Sequence, residues 1–345
     1  MGKGIKEYEY MREISEEHSI NCYTGGICTL LKNLGYEIKE YELWTLGNGF
    51  DFLEGYDEYG APEILFDVFR IVKRFLKVYN CELIRERIDF DNLKEELTQR
   101  LEIQNNLVWV NSKHMAYSDL YYSNKGYVHA IVLKSFCEEK NLIQVRDDLI
   151  VSMPPWSCTA DLHYDYLYKA LHDTVITESP LYIDIMGYFY TIKVKKDPIV
   201  INQDMIRKYL HKMTIKMVED IKNNNSPIIN YSENCLRYMK SADDEKIQWM
   251  LRRMNDNIKT LYVLPNREML KNVLSHIELE ESTYLQLVEK LDTVIKEWIT
   301  LANLCLKCSV SKNMKELSNT LPSSFEKVKC TEDIFWNFLY QIMEE

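Results

Sequence analysis

No stretch of the chain approaches the roughly 18 uninterrupted apolar residues that a membrane span requires. The opening, "MGKGIKEYEYMREISEEHS", is polar and mixed in charge, without the apolar centre of a signal peptide. A cytoplasmic protein with no membrane partner is expected. An excess of basic residues is lacking too: 42 Lys and Arg stand against 53 Asp and Glu, a net charge of −11. Nucleic-acid binding draws on clustered cations that release counterions, so no nucleic-acid partner is expected. Zinc-type cysteine spacing is nearly missing. Of nine cysteines only Cys305 and Cys308, in "CLKC", stand at metal or redox spacing. No second pair or histidine partner lies nearby, and the segment reads as helix, so no metal site is expected. A reducing compartment keeps the nine as thiols, most of them small buried apolar residues. Internal repeats and low-complexity tracts are absent as well.

What is present is an ordinary globular composition, 46% hydrophobic and 28% charged. At roughly 150 residues per domain, 345 residues suggest about two domains. The first half reads as α+β. Ile27, Leu30, Leu31 and Leu34 recur at helical spacing from Cys22 to a natural stop at Gly35. "YELWTLGNGFDF" reads as a glycine-punctuated loop, and Pro62 to Val78 as a second helix. That helix carries a basic stripe, Arg70, Lys73, Arg74 and Lys77, opposite Phe69, Val72, Phe75 and Leu76. A helix from about Phe90 to Leu101 precedes the strand "NLVWVN". A tyrosine-rich loop and the strands "VHAIVLKSF" and "NLIQVRD" follow, an antiparallel set rather than alternating βαβ. A helix near Ala160 to His172 and one or two strands in "LYIDIMGYFYTIKV" complete this half. Beyond Pro198 the pattern turns helical, with Ile206, Leu210, Met213, Met217 and Ile221 on one face. Tyr284, Val288, Leu291, Ile295, Trp298 and Ala302 form a bundle seam. The expected domains are therefore 1–200, α+β, and 201–345, all helical.

"SINCYTGG", Ser19 to Gly26, places Cys22 at a helix start. A thiol nucleophile needs an environment that favours its anion, a base and oxyanion donors. The free N–H groups and dipole of a helix N-terminus supply the first. The base is most often a histidine oriented by Asn or Asp. His129 lies in an apolar strand on one face with Tyr127, Ile131 and Leu133, where an imidazole needs a partner. The next strand ends in Asp147 and Asp148, either of which orients His129 if the strands pair. His114, His163 and His172 compete as bases, and spacing does not separate them.

"HSINCYTGGICTLLKNLGYEIKEYELWTLGNGFDF" resembles the opening of the butirosin-biosynthesis acyltransferase family, which is related to papain-like cysteine peptidases. "LVWVNSKHMAYS" resembles that family's next block, and "VHAIVLKSFCEEKNLIQVRDD" its histidine strand and the following strand with a terminal Asp. The resemblance spans about the first 175 residues as ordered blocks. It implies a papain-like fold with Cys22 as nucleophile, His129 as base and Asp147 as orienter, or Asp148 if the register shifts by one. Two positions depart from the pattern. Glu16 stands where papain-like peptidases usually carry an oxyanion glutamine, so the backbone N–H of Cys22 or the side chains of His18 or Asn21 must serve. Asn111 stands where family members often have an acid.

The chemistry the resemblance implies is amide formation. An acyl group leaves the phosphopantetheine thioester of an acyl or peptidyl carrier protein, rests on Cys22, and passes to a small-molecule amine. No cofactor is bound; phosphopantetheine enters as the substrate's arm. The stripe Arg70, Lys73, Arg74 and Lys77 is the candidate docking face for an acidic carrier. The tyrosine-rich loop Tyr117 to Tyr127 and the helical half are candidates for a lid. A composition rich in Tyr, Lys, Ile and Asn suggests a low-GC bacterium; the resemblance implies a role in antibiotic assembly, such as that of a thiotemplated peptide antibiotic like closthioamide. Two alternatives are a peptidase of the same fold and a non-catalytic binding protein on that scaffold. Monomer and homodimer both stay open.

Overall fold

The computed structural model describes residues 12–122, 126–152, 154–173, 175, 184–311 and 314–344. The chain is α+β, with a large antiparallel sheet and a helical C-terminal region. It opens with the edge strand β1 (Arg12–Ser15), then the helices α1 (Cys22–Asn33) and α2 (Glu40–Leu46). A hairpin of β2 (Leu53–Tyr56) and β3 (Pro62–Leu65) leads into α3 (Val68–Val78). β4 (Cys81–Arg87), α4 (Leu93–Ile103), β5 (Asn106–Asn111) and the single-turn α5 (Asp119–Tyr122) follow. β6 (Val128–Cys137), β7 (Leu142–Ile150) and β8 (Trp156–His163) come in succession, and β8 runs directly into α6 (Tyr164–His172). After β9 (Tyr188–Val194) come α7 (Gln203–Lys222), α8 (Pro227–Ser241) and α9 (Asp244–Asp256). The chain then closes with α10 (Val263–Leu274), α11 (Glu281–Ser311) and α12 (Met314–Glu344).

These elements fall into two units: residues 12–40 with 80–197, and residues 41–79 with 198–344. The second boundary lies close to the expected cut near residue 200, but residues 41–79 group with the helical unit rather than with 1–200. Their aromatic rings give the reason. Phe66 lies edge-on to Trp44 at 4.8 Å and to Tyr262 at 5.3 Å, and Phe52 meets Trp298 at 6.3 Å.

In the first unit seven strands pair antiparallel in the order β1-β8-β7-β6-β5-β9-β4. Strand alternation gives the sheet two buried faces. On one, Val108, Val110, Ile131, Leu133, Ile143 and Val145 pack with Leu93 and Leu97 of α4 and Leu167 and Leu171 of α6. On the other lies α1, whose buried side carries Ile27, Leu30 and Leu31 and packs on β5, β6 and β7. The 160–172 segment is strand as far as His163, not helix. The His163 ring then caps α6 by accepting from the Asp165 N–H.

In the second unit the run Pro62–Leu65 pairs with β2, so the helix expected from Pro62 begins only at Val68, where the Asp67 carboxylate caps it. The stretch expected as a loop at 41–46 is helical, within α2. The helices enclose a buried ion pair, Arg267 with Glu332 at 2.9 Å. The indole N–H groups of Trp298 and Trp336 also donate to Glu332, so the carboxylate is fully partnered. Cys305 and Cys308 are buried in α11, with the Cys305 thiol 3.2 Å from the Met254 sulfur. Among the described residues no helix is long and apolar enough to cross a membrane.

Candidate active site

Cys22 is the first residue of α1 and is half-buried. Asn21 caps the helix: its Oδ1 accepts from the N–H groups of Tyr23 (2.9 Å) and Thr24 (3.2 Å). Glycine at 25 lets the helix start sit against the sheet. A Cβ there would fall 2.6 Å from the Ser19 Cβ and 2.8 Å from the Asp148 Cβ.

The Cys22 sulfur is near enough to the His129 ring to interact with it electrostatically. His129 is buried near the start of β6, and its Nε2 lies 2.9 Å from Asp147 Oδ1. Burial opposes a charge on this imidazole, but the Asp147 carboxylate and Cys22 outweigh it and push the ring up to about 10. The protonated form of the ring is thereby favoured.

Asp147 is fully buried and its acceptor sites are filled. Oδ1 takes the His129 ring and the Leu149 N–H (3.2 Å), while Oδ2 accepts from the hydroxyls of Tyr117 (2.9 Å) and Tyr121 (3.1 Å). Burial pushes both phenols well above their ordinary value, so they remain O–H donors. The Tyr121 hydroxyl is also 3.1 Å from His129 Nε2, and the Tyr127 ring stands edge-on to the imidazole at 5.9 Å. The tyrosines expected as a lid are therefore partly interior: Tyr117 and Tyr121 hold the orienting carboxylate. Residues 123–125 of that loop lie outside the described residues.

Asp148, the alternative orienter, points the other way. It accepts from the Thr29 hydroxyl of α1 (2.8 Å) and pairs with Arg146 (2.8 Å). Neighbours on a strand face opposite sides of the sheet, so only Asp147 reaches His129. β6 and β7 pair as the sequence suggested, with a register shift between Leu133 and Ser135, and the β7–β8 pair is irregular between Asp147 and Ile150.

The competing histidines are engaged elsewhere. His114 bonds Asp173 (2.7 Å), His163 caps α6, and His172 stacks on Tyr168. His18 is exposed, with Nδ1 3.0 Å from the carbonyl of Ser19, and Glu16 is exposed. Asn111 is buried, and its Oδ1 accepts from the Lys113 N–H (3.2 Å). Arg70, Lys73, Arg74 and Lys77 line α3 in the second unit, where none of them forms an ion pair with a described residue.

Sequence reasoning missed Thr29, Arg146 and Glu40, whose roles arise from long-range contacts. Tyr117 and Tyr121 fall in the loop expected as a lid, and their hold on Asp147 arises from the fold; their spacing of four was the available signal. Among the described residues no group of three or more His, Cys, Asp or Glu side chains could hold a metal ion. No protein-family model and no curated protein matches the chain.

Proposed function

We propose that the chain is a cytoplasmic, cysteine-dependent acyltransferase on a papain-like scaffold that forms amide bonds in bacterial antibiotic biosynthesis. The observation that carries this reading is the buried His129–Asp147 pair beside Cys22, with the thiol at a helix N-terminus. The resemblance of the surrounding blocks to the butirosin-biosynthesis acyltransferases supports the choice of acyl transfer.

The chemistry runs in two halves. The Cys22 sulfur, having given its proton to His129, attacks the carbonyl of a phosphopantetheine thioester. The negative oxygen that forms is met by the Cys22 N–H, for which no acceptor is found among the described residues. The C–S bond to phosphopantetheine breaks, and His129 returns the proton to the departing thiolate. In the second half an amine attacks the acyl-Cys22 carbonyl and His129 removes its proton. The Cys22 thiolate leaves and an amide remains. The sum is thioester plus amine giving amide plus free carrier thiol. Asp147, fixed by two phenols, holds the ring beside the thiol throughout.

An acidic acyl or peptidyl carrier protein is the proposed donor, docking on Arg70, Lys73, Arg74 and Lys77. Phosphopantetheine is its substrate arm, and the acceptor is a small-molecule amine. The test is incubation of the full chain with acyl-loaded carrier and an amine panel, read by product mass. Amide that disappears in Cys22→Ala supports the reading. Free acid regardless of amine, or cleavage of a peptide in place of thioester turnover, marks a hydrolase of the same fold.

A further inference from the structure

The amides around Cys22 can be followed one by one. The Ser19 N–H donates to the carbonyl of Asp148 (2.8 Å). Those of Ile20 and Asn21 donate to the Glu40 carboxylate, at 2.7 Å to Oε2 and 3.2 Å to Oε1. Tyr23 and Thr24 donate to the Asn21 side chain, and Gly25 to the Asn21 carbonyl at 2.9 Å. From 19 to 25, only Cys22 keeps an N–H with no acceptor among the described residues.

Glu40 is what makes this pattern unusual. It sits at the start of α2, 18 positions after the cysteine, and contacts the turn through the two amides and the Thr24 hydroxyl. A half-buried carboxylate spent on amide donors is costly unless the donors need holding. Burial pushes Glu40 up to about 7, against the lowering effect of those same hydrogen bonds.

We infer that Glu40 is a positioning residue for the oxyanion donor. It takes up the two amides that precede Cys22, fixes the turn, and leaves the Cys22 N–H as the amide presented to a tetrahedral intermediate. This rests on the reading of Cys22 as the acyl-carrying nucleophile. It assigns a role in catalysis to a residue that touches neither the thiol nor His129. Removing the carboxylate leaves the amides of Ile20 and Asn21 to seek other acceptors, and the turn before the helix loosens.

Two reactions of the same sulfur separate this role from general support of the fold. Acylation by butyryl-N-acetylcysteamine, a minimal thioester, builds negative charge on a carbonyl oxygen. Alkylation by iodoacetamide does not. In Glu40→Ala, single-turnover acylation of Cys22 is expected to slow about 100-fold, while alkylation of Cys22 changes less than about threefold. Glu40→Gln, which keeps one acceptor, falls between wild type and Glu40→Ala in acylation. Unchanged acylation in Glu40→Ala overturns the inference, and so does an equal fall in both reactions. A wild-type Cys22 that resists both reagents refutes the nucleophile itself, and this inference with it. Wild-type reactivity with both, insensitive to Glu40, leaves the nucleophile standing and refutes the inference alone.

Discussion

Two adjacent aspartates divide the work of supporting the cysteine. Asp147 faces His129 and two phenols; Asp148 faces α1 through Thr29. The phenols predict a graded effect. Tyr121→Phe removes one donor to Asp147 and should lower the acyl-transfer rate about tenfold, and Tyr117→Phe should act in the same direction. His129→Ala should cost about 10²–10⁴-fold. These rates are read with a small thioester, and circular dichroism verifies that each variant folds. The imidazole also carries a pH signature. Its folded value of about 10 lies above the ordinary value near 6.5. The stabilisation is therefore full below about 6.5 and is lost as pH rises through about 10. Urea midpoints of wild type should fall across that window, and those of His129→Ala should lack this component.

At the scale of elements, the start of α1 is the decisive joint. It is pinned to β7 through the Ser19 amide and the Thr29–Asp148 bond, and glycine at 25 permits the approach. Gly25→Ala should destabilise by about 1–3 kcal/mol, despite alanine's better helix propensity, because the new methyl meets Ser19 and the Asp148 Cβ. A denaturant titration measures it, and a gain in stability would contradict this packing. Much of this joint was legible in the sequence. His129 in an apolar strand needs a partner, whereas Asn21, expected as an oxyanion donor, instead caps α1 through its Oδ1. The parity of Asp147 was not legible, because one residue of register reverses which aspartate faces the histidine. The Pro62 segment read as helix because its apolar residues run on into α3. Only pairing across the hairpin makes Pro62–Leu65 a strand. β8 likewise owes its strand form to partners on both sides, which local spacing does not record. Glu40 carries no local signal at all; its partners are set by how the chain returns to α1.

For the whole molecule, net charge and local charge oppose each other. A chain of net charge −11 repels an acidic carrier at long range, so the reading needs a local attraction. The α3 stripe offers one, with Lys73, Arg74 and Lys77 exposed. Reversing Arg74 and Lys77 to glutamate should raise KM for the carrier-loaded donor about tenfold or more at low salt and leave turnover of a small thioester unchanged. Equal effects on both donors would remove the stripe from the account. That residues 41–79 group with the helical unit was hidden from the sequence because Trp44, Phe52 and Phe66 find their ring partners in part more than 190 residues away.

The central claim is that Cys22 carries the acyl group. Intact-mass spectrometry of the full chain after brief exposure to acyl-loaded carrier protein, followed by peptide mapping, tests it without knowledge of the amine. The account predicts one acyl adduct, located on the peptide that contains Cys22 and absent from Cys22→Ala. An adduct on another of the nine cysteines, or amide formation that persists in Cys22→Ala, would contradict it.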